Sequence, residues 1–512
     1  MKKAILLIAM FALIGLCADA QIMFQKIYSG LNNYSSFNCV RQTFDGGFIA
    51  LSNYSSIQLF KTKANGDTLW VKSYPVTGDT QGASVQQTLD SGYIICGTIF
   101  SPTQISYACL IKTNSLGDTL WTRSFSAGNL FSGTSVCQTR DSGYIFAGLE
   151  GIESMPNMHL IKLNAQGDTL WSKFFGSLIP GSLQETMDGG IIMTGTNIYT
   201  SDLIFLIKTN STGDTLWSKE FGGANDDYGK CVRQTSDNGY IITGYTTSSG
   251  AGGKDIFLIR TDSLGDTLWT KTYGGAGDEK GYAVQQTSDG GFIITGYTNS
   301  FGIVNDDAYL IKTNSNGDTL WTKTYGGSSY DYGNFVQQLN NGGYIISGST
   351  MSFSSGNVQG YLIRTDSLGN SGCNQTNPPT IQQSFPVNYF YPPMFIRSGC
   401  DIANQTIFIE NGGITSTICY TGLNEISYDL TSLFLSPNPF TTQATLTFQG
   451  IKNENNKSLS VYNLLGQEVQ NIFVGKDKEV IIHRNNLPSG MYFYKLLDDN
   501  KTVLGVGKMV VE

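Results

Sequence analysis

Acidic side chains recur at two positions of a repeated segment, and they are the residues best suited to do chemistry. The first set lies in loops that lead into one strand of each repeat: Asp79, Asp226, Asp227, Asp278, Glu279 and Asp331. The second set lies in loops expected to open on the same face: Asp202, Asp255, Asp306 and Asp307. Carboxylates gathered in this way can bind Ca²⁺, a cationic ligand or a sugar. The alternative is that these are ordinary solvated loops.

The candidates for a metal site are Asp226, Asp227, Asp278, Glu279 and Asp331, although no loop has the spacing of a known Ca²⁺ loop. Two acids about 5–10 Å apart would also suffice for glycoside hydrolysis. Other chemistry has little support, because the chain holds only two histidines. His159 takes a repeat position that other copies fill with Phe or Tyr, and His483 lies near the C-terminus, which argues against a Ser-His-Asp triad or a His-ligated metal. We predict no catalytic residue and no cofactor.

The elements that hold these acids belong to a repeat marked by the phrase Gly-Asp-Thr-Leu-Trp. The phrase occurs six times, at intervals of 46 to 52 residues. In the clearest copy, four apolar-rich runs at 282–288, 292–298, 308–314 and 319–325 are separated by turns rich in Gly, Asn and Asp. This pattern predicts a four-stranded antiparallel meander. Such a unit cannot cover its own two faces, whereas a ring of units can, so the repeat predicts an all-β fold with a β-propeller.

The number of blades follows from a strand that is missing at one end of the repeats. The first three strands occur seven times, but the seventh copy has no fourth strand. The stretch FQKIYSG at 24–30 matches the missing WTKTYGG, with Phe24 in place of Trp and Tyr28 in the place of the second aromatic residue. We therefore predict seven four-stranded blades, closed by strand 24–29 pairing antiparallel with 360–366.

Each Trp of the repeated phrase is predicted to lie on the outermost strand of its blade and to dock against the neighbouring blade. These residues are Trp70, Trp121, Trp171, Trp217, Trp269 and Trp321. The second strand of each unit carries a glycine, such as Gly97 or Gly296, where something large must approach the backbone. We expect the indole to be that group.

The Asp-Thr-Leu part of the phrase also matches the Asp-Ser/Thr-apolar acceptor pattern of bacterial O-glycosylation. An exposed turn would make these threonines accessible to a glycosylating enzyme: Thr68, Thr119, Thr169, Thr215, Thr267 and Thr319. Turn and strand preferences alone also account for Asp and Thr at these positions.

The N-terminal segment has the properties of a signal peptide. Two lysines precede an apolar run, and Ala18 and Ala20 form a small-x-small cleavage site, so residues 1–20 are predicted to be removed after Ala20. The net charge is −8 with no long basic run, which argues against a nucleic-acid partner. No later stretch is long and apolar enough to predict a membrane-spanning helix in the mature chain.

After the repeats, residues 373–425 form a predicted β-rich connector. It contains Cys373, Cys400 and Cys419, and export makes one disulfide among these three plausible. From about Leu433, short alternating strands predict a small antiparallel sandwich. Within it, LSPNPF (435–440), LSVYNLLGQEV (459–469), LPSGMYFYKL (487–496) and the final GKMVVE resemble the type A C-terminal sorting domain of type IX secretion substrates. The resemblance implies export across an outer membrane, removal of the domain by a sortase-like protease, and surface attachment or release.

These observations divide the chain into a signal peptide (1–20), a seven-bladed propeller (21–372), the connector (373–425) and the sorting domain (426–512). The near-identity of the blades favours a monomeric, non-enzymatic binding or adhesion module whose ligand is a glycan or a protein. The alternative is a secreted carbohydrate-active enzyme that uses carboxylates on one propeller face. The implied partners are the type IX machinery and its sortase.

Overall fold

The computed structural model describes residues 22–30, 34–53, 56–74, 79–101, 105–126, 130–151, 156–198, 202–354, 356–384, 401–403, 410–411, 414–421, 432–449, 456–463, 467–485, 487–499 and 503–511. The chain divides into two compact units, Met1–Gly422 and Leu423–Glu512. The described residues form strands and turns, with no helix among them. The predicted signal peptide and Ala20 lie outside the described residues.

Seven separate antiparallel sheets make up the first unit. The first described strand is β1 (Met23–Ser29). Blade one contains β2 (Phe37–Gln42), β3 (Phe48–Ser52), β4 (Gln58–Thr62) and β5 (Thr68–Ser73), and blade two contains β6 (Asp79–Gln87), β7 (Tyr93–Phe100), β8 (Ser106–Thr113) and β9 (Thr119–Ser126). Blade three contains β10 (Phe131–Gln138), β11 (Tyr144–Glu150), β12 (Asn157–Leu163) and β13 (Thr169–Gly176).

Blade four contains β14 (Leu178–Glu185), β15 (Ile191–Asn197), β16 (Leu203–Thr209) and β17 (Thr215–Phe221). Blade five contains β18 (Asp227–Gln234), β19 (Tyr240–Thr246), β20 (Asp255–Thr261) and β21 (Thr267–Gly274). Blade six contains β22 (Glu279–Gln286), β23 (Phe292–Thr298), β24 (Asp307–Thr313) and β25 (Thr319–Tyr325). Blade seven contains β26 (Asp331–Gln338), β27 (Tyr344–Thr350), β28 (Gln359–Thr365) and, as its fourth strand, β1. The predicted all-β fold with seven four-stranded blades is therefore confirmed.

The ring is closed as the sequence predicts. Strand β1 pairs antiparallel with β28, from Phe24 opposite Arg364 to Tyr28 opposite Gly360. Both aromatic side chains of β1 are fully buried. The N-terminal strand thus supplies the outer strand that the seventh repeat lacks, and the two ends of the propeller are held in one sheet.

Each blade turns tightly at one end and carries longer loops at the other. We call the face with turns such as 289–291 and 314–318 the lower face, and the face with loops such as 275–278 and 299–306 the upper face. In the lower turn of blade six, Gly290 has φ near +80°, a conformation that glycine adopts without strain. Asp289 Oδ1 accepts hydrogen bonds from the Thr287 hydroxyl at 2.6 Å and the Gly291 amide at 3.0 Å. The corresponding aspartates are therefore turn formers: Asp90, Asp141, Asp188, Asp237 and Asp289.

The repeated phrase forms the junction between one blade and the next. Trp269 lies over Gly317 of the following copy, and its ring meets Phe292 edge-on with the centroids 5.8 Å apart. Two residues further on, Lys271 Nζ lies 3.4 Å from Asp318 Oδ1. The Tyr273 hydroxyl donates to the carbonyl of Gly317 at 2.6 Å. One copy of the phrase therefore docks onto the Gly-Asp turn of the next copy.

The same docking occurs at all seven junctions. The aromatic residue over the next glycine is Trp at six junctions and Phe24 at the seventh, where it covers Gly66. A basic side chain reaches the acid or amide that follows that glycine, in the pairs Lys26–Asp67, Lys72–Asp118, Arg123–Asp168, Lys173–Asp214, Lys219–Asp266, Lys271–Asp318 and Lys323–Asn370. The closing strand β1 thus uses the same contacts as the strands that it replaces.

The second-strand glycines have a different neighbour from the one we expected. A Cβ on Gly244, Gly296 or Gly348 would collide with a backbone carbonyl of the inner strand, for example that of Lys280 opposite Gly296. Each inner strand has a β-bulge beside this position, as between Gly281 and Ala283, and the bulge brings its backbone close. The expected indole contact is therefore wrong here, because the indole lies over the glycine of the next lower turn instead.

Several threonines of the phrase have buried hydroxyl groups in the folded protein. The hydroxyl oxygens of Thr119, Thr169 and Thr215 are buried, whereas the leucines that follow them are exposed. For these three threonines a glycosylating enzyme does not reach the hydroxyl group in the folded propeller, and turn and strand preferences account for the phrase.

The connector adds short outer strands to five blades. Its strands are β29 (Gln375–Thr376), β30 (Ile381–Ser384), β31 (Asp401–Ala403), β32 (Glu410–Asn411) and β33 (Ile414–Thr421). They pair in turn with β25, β21, β9, β5 and β1, so the connector visits blades six, five, two, one and seven. Cys373, just before the first of these strands, is disulfide-bonded.

The second unit has two antiparallel sheets. One contains β34 (Ser432–Ser436), β35 (Gln443–Gln449) and β38 (Glu479–His483), and the other contains β36 (Lys457–Tyr462), β37 (Glu468–Gly475), β39 (Gly490–Asp498) and β40 (Val503–Val511). Side chains from both sheets form one buried cluster that includes Leu446, Ile482, Leu459, Leu496 and Met509. This is the small sandwich predicted from the alternating pattern.

Candidate functional site

The acids singled out from the sequence separate into exposed and buried groups on the upper face. Asp226 is exposed, and Asp278 lies 3.4 Å from Lys254 Nζ. Asp227, Glu279 and Asp331 begin the inner strands of blades five, six and seven and are completely buried. The described residues include no group of three or more His, Cys, Asp or Glu side chains arranged to hold a metal ion.

The structure brings some of these buried acids together in pairs that the sequence did not predict. A Cβ on Gly326 would collide with both Asp307 Oδ1 and Asp331 Oδ2, so these two oxygens surround the same point. Around Gly274, Asp255 and Glu279 are placed in the same way. At the preceding junction, Leu203 takes the place of the first acid beside Gly222, and Asp227 has no acidic partner there. The pairs exist only where both repeat positions are acidic.

The carboxyl groups of the Asp307–Asp331 pair accept hydrogen bonds from backbone amides and a hydroxyl group. Asp331 Oδ2 accepts hydrogen bonds from the Gly327 amide at 2.9 Å and the Ser352 hydroxyl at 2.5 Å. Asp307 Oδ2 accepts one from the Ile303 amide at 2.9 Å, while its Oδ1 is buried without a partner among the described residues. A Ca²⁺ site would instead need further oxygen ligands. The buried position of the pairs also separates them from any substrate.

The pKa of Asp307 is raised to about 7, mainly by burial; the hydrogen bond from the Ile303 amide lowers it, and the charges of Asp331 and Asp306 raise it. Burial also raises the pKa values of Asp331 and Asp255. The Asp307–Asp331 pair therefore holds a proton near neutral pH.

We expect Asp307→Asn to stabilise the propeller at pH 8. The pKa of Asp307 is higher in the folded protein than its ordinary value of 3.8. The carboxyl group therefore does not change the free energy of unfolding below pH 3.8. It lowers the free energy of unfolding progressively between pH 3.8 and pH 7, and by a constant amount above pH 7. The variant should gain about 1–3 kcal/mol at pH 8 and almost nothing at pH 4. Urea unfolding at both pH values measures this. Asp79→Asn, at the exposed start of β6, is the control, and an equal gain at both pH values would contradict the assignment.

A second candidate site lies on the axis of the propeller. The inner strands of all seven blades line a cavity of about 410 Å³. Its lining includes Arg41 from blade one, Gln86 from blade two, Cys137 from blade three, Gln184 from blade four and Arg233 from blade five, which occupy the same position on successive inner strands. One repeat position therefore supplies five residues of the lining.

Sequence reasoning did not select these residues, although the sequence holds a signal for them. Most of the repeat is nearly constant from blade to blade, whereas this position changes among Arg, Gln and Cys. Its convergence on one cavity becomes visible only when the ring is closed.

Comparison with known proteins identifies the C-terminal part of the chain. Residues 435–512 match the family model described as "Secretion system C-terminal sorting domain", in agreement with the motifs and the two-sheet fold. The protein is thus a β-propeller repeat protein that carries a type IX sorting domain, and it is secreted or attached to the outer-membrane surface. No curated protein matches the chain.

Solved structures resemble the chain only distantly. A protein of unknown function from Bacteroides caccae is 13% identical, with a TM-score of 0.35, covering 60% of this chain and 98% of its own. One from Dyadobacter fermentans is 12% identical, with a TM-score of 0.38, covering 68% and 99%. A rhamnogalacturonan lyase from Bacillus licheniformis is 11% identical, with a TM-score of 0.33, covering 67% and 72%. Scores this low say nothing about function.

Among the described residues, no helix is long and apolar enough to span a membrane.

His159, the histidine within the repeats, is buried in blade three, where its Nε2 lies 2.8 Å from Glu150 Oε2 and its ring packs against Phe131 and Phe174. It occupies a packing position in the blade, as its place in the repeat predicted.

Proposed function

We propose that the propeller is a monomeric, non-enzymatic binding or adhesion module that takes its ligand, a glycan or a protein group, in the axial cavity. The observation that carries this proposal is the cavity of about 410 Å³ to which all seven blades contribute. This volume is in the range of small-ligand pockets and fits a sugar unit or a side chain of a protein partner. The sorting domain places such a module outside the cell.

The rigidity of the lining supports this role. Gln86 Oε1 accepts a hydrogen bond from the backbone amide of Gln138 in the next blade at 2.8 Å, and Gln184 Oε1 accepts one from that of Gln234 at 2.9 Å. Side chains held in this way lose little conformational entropy when a ligand binds.

The enzymatic alternative, a carbohydrate-active enzyme, would need two accessible carboxyl groups. The acidic pairs that meet around Gly274 and Gly326, Asp255 with Glu279 and Asp307 with Asp331, are at most 2% exposed. This observation favours binding over hydrolysis.

The test uses the protein without its predicted signal peptide on a glycan array, with a polysaccharide-hydrolysis screen in parallel. We expect binding to one ligand class with no release of reducing ends. Ala83→Trp, which fills the cavity from blade two, should abolish that binding and leave the melting temperature nearly unchanged. The control is Asn316→Trp, which adds the same ring to an exposed lower turn. Binding that survives Ala83→Trp, or hydrolysis of the bound glycan, would refute the proposal.

A further inference from the structure

The charged side chains in the axial cavity are all basic. Among the described residues that line it are Arg41, Lys230 and Arg233, with no Asp or Glu. This differs from the whole chain, whose net charge is −8. The cavity is thus a positively charged site inside an acidic protein, and its charge is not explained by composition.

The two arginines reach the cavity from blades that are not neighbours. Burial lowers the pKa of Arg41, the nearby Cys39 opposes this effect, and the like charge of Arg233 lowers the pKa further. The Arg41 guanidinium lies over the Phe335 ring, with its carbon 4.2 Å from the centroid. Its Nε is buried with no hydrogen-bond partner among the described residues. A buried donor without an acceptor costs free energy that a ligand can recover.

No neighbouring group in the described lining balances these charges. Burial raises the pKa of the Cys137 thiol to about 12, so this side chain stays neutral. Glu185, which follows Gln184, accepts hydrogen bonds from the backbone amide of Arg140 and is not part of the lining. Arg233 donates to the carbonyl of Val232 at 2.8 Å, which fixes its position and leaves its charge uncompensated.

The amide groups of the lining also favour an acceptor. Because the oxygens of Gln86 and Gln184 are bonded to backbone amides, the remaining hydrogen-bonding groups of these two lining side chains are their amino groups, which are donors. Guanidinium and amide donors that line one cavity suit a carboxylate or sulfate, which accepts several hydrogen bonds at once.

Resting on the proposed function, we infer that the axial cavity binds an anionic group, a carboxylate or a sulfate, between Arg41 and Arg233. In a cavity of this size the group belongs to a small ligand or to one unit of a longer acidic chain, such as an acidic polysaccharide. Neutral ligands of the same shape leave both guanidiniums unpaired and bind more weakly.

The experiment is calorimetric titration of the protein without its signal peptide, using D-galacturonate, D-galactose and inorganic sulfate as probes. We expect galacturonate to bind at least about tenfold more tightly than galactose. Arg41→Gln and Arg233→Gln should each remove that preference, with galactose binding unaffected. Arg140→Gln, which removes a basic side chain outside the cavity, is the matched control.

Binding of sulfate as tight as that of galacturonate supports an anion site that does not require the sugar. Equal binding of galacturonate and galactose, or a galacturonate affinity unchanged in both arginine variants, overturns the inference, as does failure of both anions to bind. These results are distinct from failure of the proposed function. If the axial cavity binds a neutral ligand that Ala83→Trp displaces, the proposed function stands and only the preference for anions is wrong.

Discussion

A chain that lacks residues 22–30 is expected to lose the closed ring and most of its stability. Strand β1 is bonded on both sides, to β28 and to β33, and its removal leaves two sheet edges unpaired. Phe24 and Tyr28 are fully buried, and loss of one large buried aromatic side chain alone costs about 3–5 kcal/mol. We expect a loss of more than about 5 kcal/mol in guanidinium unfolding, with a broadened transition.

A peptide with the sequence of residues 22–30 provides the control for this deletion. Added in excess, it should restore the melting temperature, because it can occupy the same place between β28 and β33. A peptide in which Phe24 and Tyr28 are replaced by Ala should not. If the deleted protein melts like the full chain, closure by β1 contributes nothing to stability and this account of the ring is wrong.

The second large effect is expected at the junction of blades five and six. Trp269→Ala removes the ring that covers Gly317 and meets Phe292, and should cost about 3 kcal/mol. Tyr273→Phe removes one buried hydrogen bond to the Gly317 carbonyl and should cost about 1 kcal/mol. Lys271→Ala breaks a partly exposed ion pair and should cost less than about 1 kcal/mol.

Urea unfolding of the three variants measures this order of effects. The junctions are separate, so Trp269→Ala combined with Trp121→Ala should cost close to the sum of the two single changes. An equal loss from Trp269→Ala and Lys271→Ala would show that the indole is not the main contact between the blades.

The strands and their number could be predicted from the sequence because they depend on local patterns. The alternation of apolar runs and turns in 282–325 fixes one blade, and the match of 24–30 to the missing strand fixes the closure. The neighbour of Gly296 could not be predicted, because it depends on a bulge in the opposite strand. The pairing of Asp307 with Asp331 depends on how two blades meet around Gly326, which local sequence does not specify.

The axial site shows the same limit more clearly. Arg41 and Arg233 are far apart in the sequence and lie on non-adjacent blades, so no local pattern connects them. The sequence predicted a β-rich connector but not which blades its strands join, and β29 and β32 have only two residues each, too few to show a period. Their pairing is determined by the exposed edges of the blades rather than by their own sequence.

The uniform docking of each repeated phrase onto the next has a consequence for how such a gene can change. Unequal recombination between the two identical stretches at 265–275 and 317–327 removes or adds one whole repeat. The Trp, the basic residue and the second aromatic residue of one blade then meet the same Gly-Asp turn on a different neighbour. Homologues with six or eight blades can therefore arise in one genetic step, with every contact type preserved and a narrower or wider axial channel.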